Sequence, residues 1–288
     1  MSLTLAQLLA KGIWRLRSAG VGDAEISSRL ILQHLTGKSA SGLQLSAGSE
    51  AGEELQARFD ALIEKRSRLY PLQYLIGEVE FYNVKLKVDE RTLIPRPETE
   101  ALVDNLIPIL RSKKAAKMLE IGTGSGNIAI AIAANVKDLQ VTAADISEPA
   151  LELARENARL NRVDDRIRFI HGNCLKEEFW EMAERFDAVV SNPPYVAERD
   201  FGSLQPEIRL HEPRQAVLAG NDPLLFFKVI SAKAARVLLP GGVICFEIGI
   251  GQAASVASII KERIAGVDLR VAKDLTGTER IIIGTLSS

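Results

Sequence analysis

Glu120-Ile121-Gly122-Thr123-Gly124-Ser125-Gly126-Asn127 decides the fold of this chain. Residues 117–122 read as a short buried strand and residues 127–135 as an apolar helix, so the octapeptide is a strand-to-helix turn. Gly122 and Gly124 permit a tight turn with close approach of a ligand to the backbone, and Gly126 lets the helix start against it. About 20 residues on, at the end of the next strand, Asp145 is placed to bind a pair of ribose hydroxyls. Turn and acid together predict a nucleoside site at the carboxyl edge of an α/β sheet.

Outward from the turn, strands are expected at 117–122, 139–145, 167–171, 186–190, 242–248, 267–272 and 280–285. Helices are expected at 127–135, 148–160, 223–239 and 252–264. This alternation implies an α/β fold with a doubly wound, mostly parallel, seven-stranded sheet. The last two strands leave no room for a helix between them and should form an antiparallel C-terminal hairpin. Upstream, residues 3–69 have helical periodicity: one helix follows Thr4, a second follows Asp23 and ends near Gly37, and a third covers 51–70 until Pro71 stops it. Residues 78–93 alternate as a β-hairpin turning at Tyr82-Asn83, and Pro97 opens a helix running to about residue 110. The expected organisation is a small N-terminal helical bundle at 1–76, a β-hairpin linker at 77–94 and the α/β domain at 95–288. Residues 197–221 form a long polar stretch without a period, of the kind that covers functional sites.

The turn discriminates among nucleoside ligands. A dinucleotide fingerprint needs glycine where Asn127 stands, and no Gly-Lys-Ser/Thr follows to hold phosphates. An acid before the turn, Glu120, suits S-adenosylmethionine, which carries an ammonium group and no phosphate. A second motif, Asn192-Pro193-Pro194-Tyr195, follows the 186–190 strand, which two consecutive prolines end because neither has an N–H for a sheet. The Asn192 side-chain oxygen and the Pro193 carbonyl can each accept one N–H of a planar NH2 group, while Tyr195 offers a flat face. Alone, the tetrapeptide also fits an ordinary loop-starting turn.

Bulk properties narrow the classes. The 288 residues are 47% hydrophobic and 25% charged with a net charge of −1, so no global basic field draws the chain to nucleic acid or an anionic membrane. Cys174 and Cys245 suit a reduced compartment rather than a disulfide framework. His34, His171 and His211 lie far apart, and no metal site is expected. Lys11, Arg15 and Arg17 interrupt any signal-peptide core, and no apolar run reaches membrane-spanning length, so a cytoplasmic protein is expected.

With these motifs assembled, the chain resembles the class I S-adenosylmethionine-dependent methyltransferases that alkylate planar nitrogen. Over essentially its whole length it resembles the release factor glutamine methyltransferase family (PrmC, also called HemK). The more selective matches are Pro71-Leu72-Gln73-Tyr74 with Gly77, the run from Leu93 to Glu100, Pro206-Glu207, Glu212-Pro213, Phe246-Glu247-Ile248-Gly249 and Asp274 with Gly277 and Arg280. The resemblance implies methylation of the glutamine side-chain amide nitrogen (N5) in the Gly-Gly-Gln motif of class-1 peptide-chain release factors, with S-adenosylhomocysteine as by-product. It implies that Asn192, Pro193, Pro194 and Tyr195 form the catalytic and substrate-binding motif. Glu120 with Gly122, Thr123, Gly124, Ser125 and Gly126 would hold the methionine end of the cofactor, Asp145 the ribose, and Asn173 and Cys174 the adenine, with Asn192 also at the cofactor. The N-terminal bundle would dock the protein substrate, and the chain is expected to be a monomer. The sequence departs from the family pattern at Asn173, where an acid is common, and at Ala219, Pro223 and Asn83, which replace glycines. An adenine-N6 methyltransferase acting on nucleic acid would use Asn192–Tyr195 in the same way, but the chain shows no separate basic target-reading segment.

Overall fold

The computed structural model describes residues 3–181 and 184–287. It divides into two compact units, Met1–Glu78 together with Gln205–His211, and Val79–Leu204 together with Glu212–Ser288.

The first unit contains α1 (Leu5–Ser18), α2 (Ala24–Thr36), α3 (Ala40–Leu45), α4 (Glu53–Ser67) and α5 (Leu72–Ile76). Thr4 caps α1 reciprocally: its hydroxyl accepts from Gln7 N at 3.3 Å, and Gln7 Oε1 accepts from Thr4 N at 2.9 Å. Leu8, Leu16, Ile31, Leu32, Phe59 and Ile63 form the fully buried centre. Gly12 lets α4 approach α1, since a Cβ there would lie 2.6 Å from Phe59 Cζ. The third expected helix, 51–70, is shorter as α4, because Leu69 takes a left-handed φ of 64° before Pro71. The short α3 and α5 were not anticipated; they are too brief to show a period. Arg66 on α4 is buried, and its guanidinium donates to Ser27, Asp23, Glu207 and the Tyr70 carbonyl. A buried guanidinium is tolerated only with its donors satisfied.

The second unit opens with the hairpin β1 (Glu78–Phe81) and β2 (Val84–Lys87), followed by α6 (Glu100–Arg111). Then come β3 (Lys117–Ile121), α7 (Asn127–Asn135), β4 (Gln140–Asp145), α8 (Glu148–Leu160), β5 (Ile167–His171) and β6 (Phe186–Ser191). Beyond β6, the short β7 (Val196–Ala197) pairs in parallel with β8 (Leu218–Gly220), and α9 (Pro206–His211), between them, belongs to the first unit. The chain closes with α10 (Leu225–Val237), β9 (Leu238–Glu247), α11 (Ala253–Arg263), β10 (Asp268–Lys273) and β11 (Glu279–Thr285). The seven-stranded sheet has the order β10-β11-β9-β6-β3-β4-β5. Strands β9, β6, β3, β4 and β5 are parallel, and β11 runs antiparallel to both β9 and β10.

Side chains alternate across the sheet. Met118, Ala188, Val190 and Cys245 join the core under α6 and α7, while Leu119, Ile121, Val189 and Phe246 join the core under α10 and α11. The hairpin, expected as a linker, instead packs Phe81, Val84 and Leu86 into the core of the second unit. Asn157 of α8 fixes it: Oδ1 accepts from Lys87 N at 2.7 Å, and Nδ2 donates to the carbonyls of Lys87 and Ser125. One buried amide thus ties the hairpin to the glycine turn. Strand order reverses between β3 and β6, so their carboxyl ends open onto the crevice where α/β sheets bind ligands. Among the described residues, no helix is long and apolar enough to cross a membrane.

Candidate active site

A cavity of about 260 Å3 lies at this switch point within the second unit. Its floor is the glycine turn: Gly122, Thr123, Gly124 and Ser125 all line it. Gly122 and Gly124 have φ of +75° and +54°, and a Cβ on either would meet no protein atom within 4 Å. The turn is therefore an open cradle that only glycine can form in this conformation. Ser125 Oγ is buried without a hydrogen-bond partner among the described residues.

Asp145, at the end of β4, also lines the cavity. Oδ2 accepts from Gly124 N at 2.8 Å and Oδ1 from Ser147 N at 2.9 Å, leaving each oxygen a second lone pair. Burial pushes its pKa up, against the pull of the backbone N–H groups of Gly124, Ser147 and Ile146. Asn173 and Cys174 border the cavity farther along. Asn173 Oδ1 accepts from Leu175 N at 2.9 Å, so half its acceptor capacity closes its own turn. Burial raises the Cys174 thiol to about 11, which keeps it neutral.

Glu120 differs from expectation. It is fully buried and does not line the cavity. Strand alternation turns it beneath α7, where Oε2 accepts from the Thr123 hydroxyl at 2.7 Å and from Ala129 N at 3.1 Å. Oε1 has no partner among the described residues. Burial pushes its pKa up to about 8, with the Thr123 and Ala129 hydrogen bonds opposing. Glu120 thus anchors the turn from below. Gly126, with φ of +82°, is likewise a packing residue: a Cβ would lie 2.8 Å from Ile130 Cδ1 and 3.3 Å from Ala154 Cβ.

At the end of β6, Asn192, Pro193 and Pro194 form the opposite wall. The Asn192 Nδ2 group donates to Thr99 Oγ1 at 3.4 Å, and no described residue donates to its Oδ1. The Pro193 carbonyl also receives no backbone N–H among the described residues. Two carbonyl-type acceptors thus stand open on one loop. Tyr195 does not line the cavity; its ring packs against the core beside α11, with Cδ2 where a Gly249 Cβ would come within 3.1 Å. Its backbone is held by Gln252, whose Nε2 donates to the Tyr195 carbonyl at 3.3 Å while Oε1 accepts from Gly249 N at 2.9 Å.

A third wall was not assigned from sequence. Residues 91–96 line the cavity together with Pro213, Gln215 and Ala216. Glu212 clamps the two segments: Oε2 accepts from Ile94 N at 3.1 Å, and Oε1 accepts from Arg96 at 2.5 Å. The Leu93–Glu100 and Glu212-Pro213 strings, and the expected cover at 197–221, were its traces in the sequence.

The sheet order, the glycine cradle and the acid on the neighbouring strand define a class I methyltransferase, and the donor set suits S-adenosylmethionine. Hydroxyl acceptors on Asp145 and an unpartnered Ser125 hydroxyl fit a ribose and an amino-acid moiety, and the glycine cradle leaves room for the chain between them. Residues 99–208 match the family model of the methyltransferase small domain, and residues 7–77 that of the PrmC N-terminal domain. The release factor glutamine methyltransferase of Deinococcus radiodurans is 39% identical over 280 residues, covering 97% of this chain and 98% of that protein. The Caulobacter vibrioides protein of the same name is 34% identical, covering 99% and 97%. A methyltransferase structure from Pyrococcus furiosus shares the fold, with TM-score 0.51, 19% identity and coverage of 82% of this chain and 100% of that one. The chain belongs to the release factor glutamine methyltransferase family.

Proposed function

We propose that this protein transfers a methyl group from S-adenosylmethionine to the side-chain amide nitrogen of the glutamine in the Gly-Gly-Gln motif of a class-1 release factor. The observation that carries the reading is the pair of open acceptors, Asn192 Oδ1 and the Pro193 carbonyl, on the cavity wall opposite the glycine cradle. An amide nitrogen is a poor nucleophile because its lone pair is delocalised into the carbonyl. Two acceptors on its two N–H groups hold the nitrogen in line and stabilise the positive charge that grows on it.

When bound, S-adenosylmethionine supplies a methyl group on a sulfonium sulfur; the C–S bond breaks as the N–C bond forms, leaving neutral S-adenosylhomocysteine. Asp145 would accept from the ribose hydroxyls, Ser125 and the turn would hold the methionine end, and Asn173 and Cys174 would border the adenine. Glu120 would act through the turn it anchors. Asn192 and Pro193 would direct the amide, Pro194 would help exclude water, and Tyr195 would back the loop. The surplus proton on nitrogen leaves after transfer, to an acceptor or to water, so no histidine or carboxylate is needed as a base. The first unit would dock the release factor, with the protein acting as a cytoplasmic monomer.

The test is transfer of a labelled methyl group to a class-1 release factor, to its Gly-Gly-Gln→Gly-Gly-Ala variant and to duplex DNA. Label on the first alone is expected; label on DNA would move the reading to an adenine methyltransferase. Asn192→Ala should abolish turnover while sparing cofactor binding, and near-normal transfer by that variant would refute the mechanism.

A further inference from the structure

Two buried polar side chains hydrogen-bonded in series to Asn192 come from segments 148 residues apart and have no role in the reading above, although Thr99 also lines the cavity. Thr99 lies in the single 3-10 turn Pro97–Thr99, and Glu247 is the last residue of β9; they are 1% and 3% exposed. Thr99 Oγ1 donates to Glu247 Oε2 at 2.5 Å and accepts from Asn192 Nδ2. The directions follow from inventory. Where Glu247 is ionised it only accepts, so the hydroxyl spends its one proton on it. The hydroxyl oxygen is then left as an acceptor, and the Asn192 amide must offer it an NH2 group. Its oxygen consequently faces away from the Thr99 hydroxyl, on a side chain that lines the cavity.

We propose that Thr99 and Glu247 are positioning residues that fix the Asn192 amide with its oxygen toward the substrate, ready to accept a substrate N–H. This rests on the proposed role of Asn192. Without the relay a primary amide can turn over, since its two ends are nearly the same size, and an inverted Asn192 would meet the substrate N–H with its own N–H. Burial pushes the Glu247 carboxyl up to about 7; the Thr99 hydrogen bond, the charge of Arg280 on β11 and a hydrogen bond from the Asn192 side chain oppose the rise, and Glu98 beside Thr99 adds to it.

The experiment compares the wild type, Thr99→Val, Thr99→Ser, Glu247→Met, the Thr99→Val/Glu247→Met double variant and Asn192→Ala. For each, kcat and KM for S-adenosylmethionine are measured with a release factor, and the melting temperature is recorded. Thr99→Val should lower kcat by about 100-fold, the order that misorientation costs, with KM for the cofactor unchanged. Thr99→Ser, which restores the hydroxyl, should recover to within a few-fold of wild type. The double variant should be no slower than the worse single variant, because both remove one relay. A Thr99→Val enzyme with wild-type kcat, beside an inactive Asn192→Ala, would overturn the relay alone. An active Asn192→Ala would overturn the reading of Asn192 beneath it. Additive losses that track the melting temperature and are not rescued by serine would assign the pair to packing and overturn the proposal.

Discussion

Replacing Glu120 with glutamine tests how the glycine turn is anchored. Burial lifts this carboxyl from 4.5 to about 8 in the folded protein. Below pH 4.5 it is protonated in folded and unfolded chains alike, and its contribution is fully present. As pH rises from 4.5 toward 8 the unfolded chain releases the proton while the folded one keeps it, so stability is lost across that window and levels off above it. At about 1.4 kcal/mol for each unit of separation, the loss between pH 5 and pH 8 is on the order of 3 kcal/mol. Glu120→Gln removes the titration but leaves an amide NH2 where Oε1 has no partner, a fixed cost of about 1–3 kcal/mol. Glu247, also raised by burial, titrates in both proteins and cancels in the difference, whereas Asp145, whose charge adds to the Glu120 rise, cancels only in part. The assay is urea unfolding at pH 5, 6, 7 and 8 followed by tryptophan fluorescence. Of the two tryptophans, Trp180 is buried in the second unit's core, whereas Trp14 is 70% exposed and should change little. The variant should gain on the wild type steadily with pH. Parallel curves would mean that Glu120 is not held protonated and that the anchoring argument is wrong.

Two further outcomes follow from the same site. Gly126→Ala should cost about 2–4 kcal/mol, combining the left-handed backbone with a Cβ 2.8 Å from Ile130 Cδ1, whereas Gly220→Ala, with a similar φ and open space, should cost only the backbone strain; thermal unfolding distinguishes them. Asp145→Ala should weaken S-adenosylmethionine binding by about 10- to 100-fold in calorimetry, and unchanged affinity would remove Asp145 from the ribose.

The strands and their directions were legible because hydrophobic runs separated by helices leave few topologies, and the tight final connection forced an antiparallel hairpin. Boundaries were less so. β9 begins at Leu238 rather than 242, since Pro240-Gly241-Gly242 reads as a break but is accommodated as an irregularity against β6. Asp145 and Asn192 could be placed on the cavity lining because each lies where a strand ends at the sheet's ligand edge. The inward turn of Glu120 could have been found by counting alternation along β3, where Leu119 and Ile121 face one core and Met118 the other. The packing of Tyr195 could not be read, because sequence shows that an aromatic follows the prolines but not that Gly249 lies ready to take its ring. The contact of Thr99 with Glu247, and that of Glu212 with Ile94 and Arg96, were invisible: each joins segments more than 100 residues apart, and only the closed fold brings them together.

The excursion at Gln205–His211 has a consequence for cutting the protein into pieces. The backbone passes between the units at Glu78, again at Gln205 and once more after His211, so the smaller unit is stitched from two separate stretches of chain. Expressing residues 79–288 alone would not liberate a clean catalytic fragment. It would strand Glu207 without the Arg66 guanidinium and His211 without the Tyr70 ring, on a loop whose next residues, Glu212 and Pro213, belong to the cavity's clamp and wall. A loss of activity on truncation therefore reports a slackened wall as well as the missing first unit. Arg66→Ala in the full chain would separate the two, since it breaks the stitch at Glu207 while leaving the first unit attached.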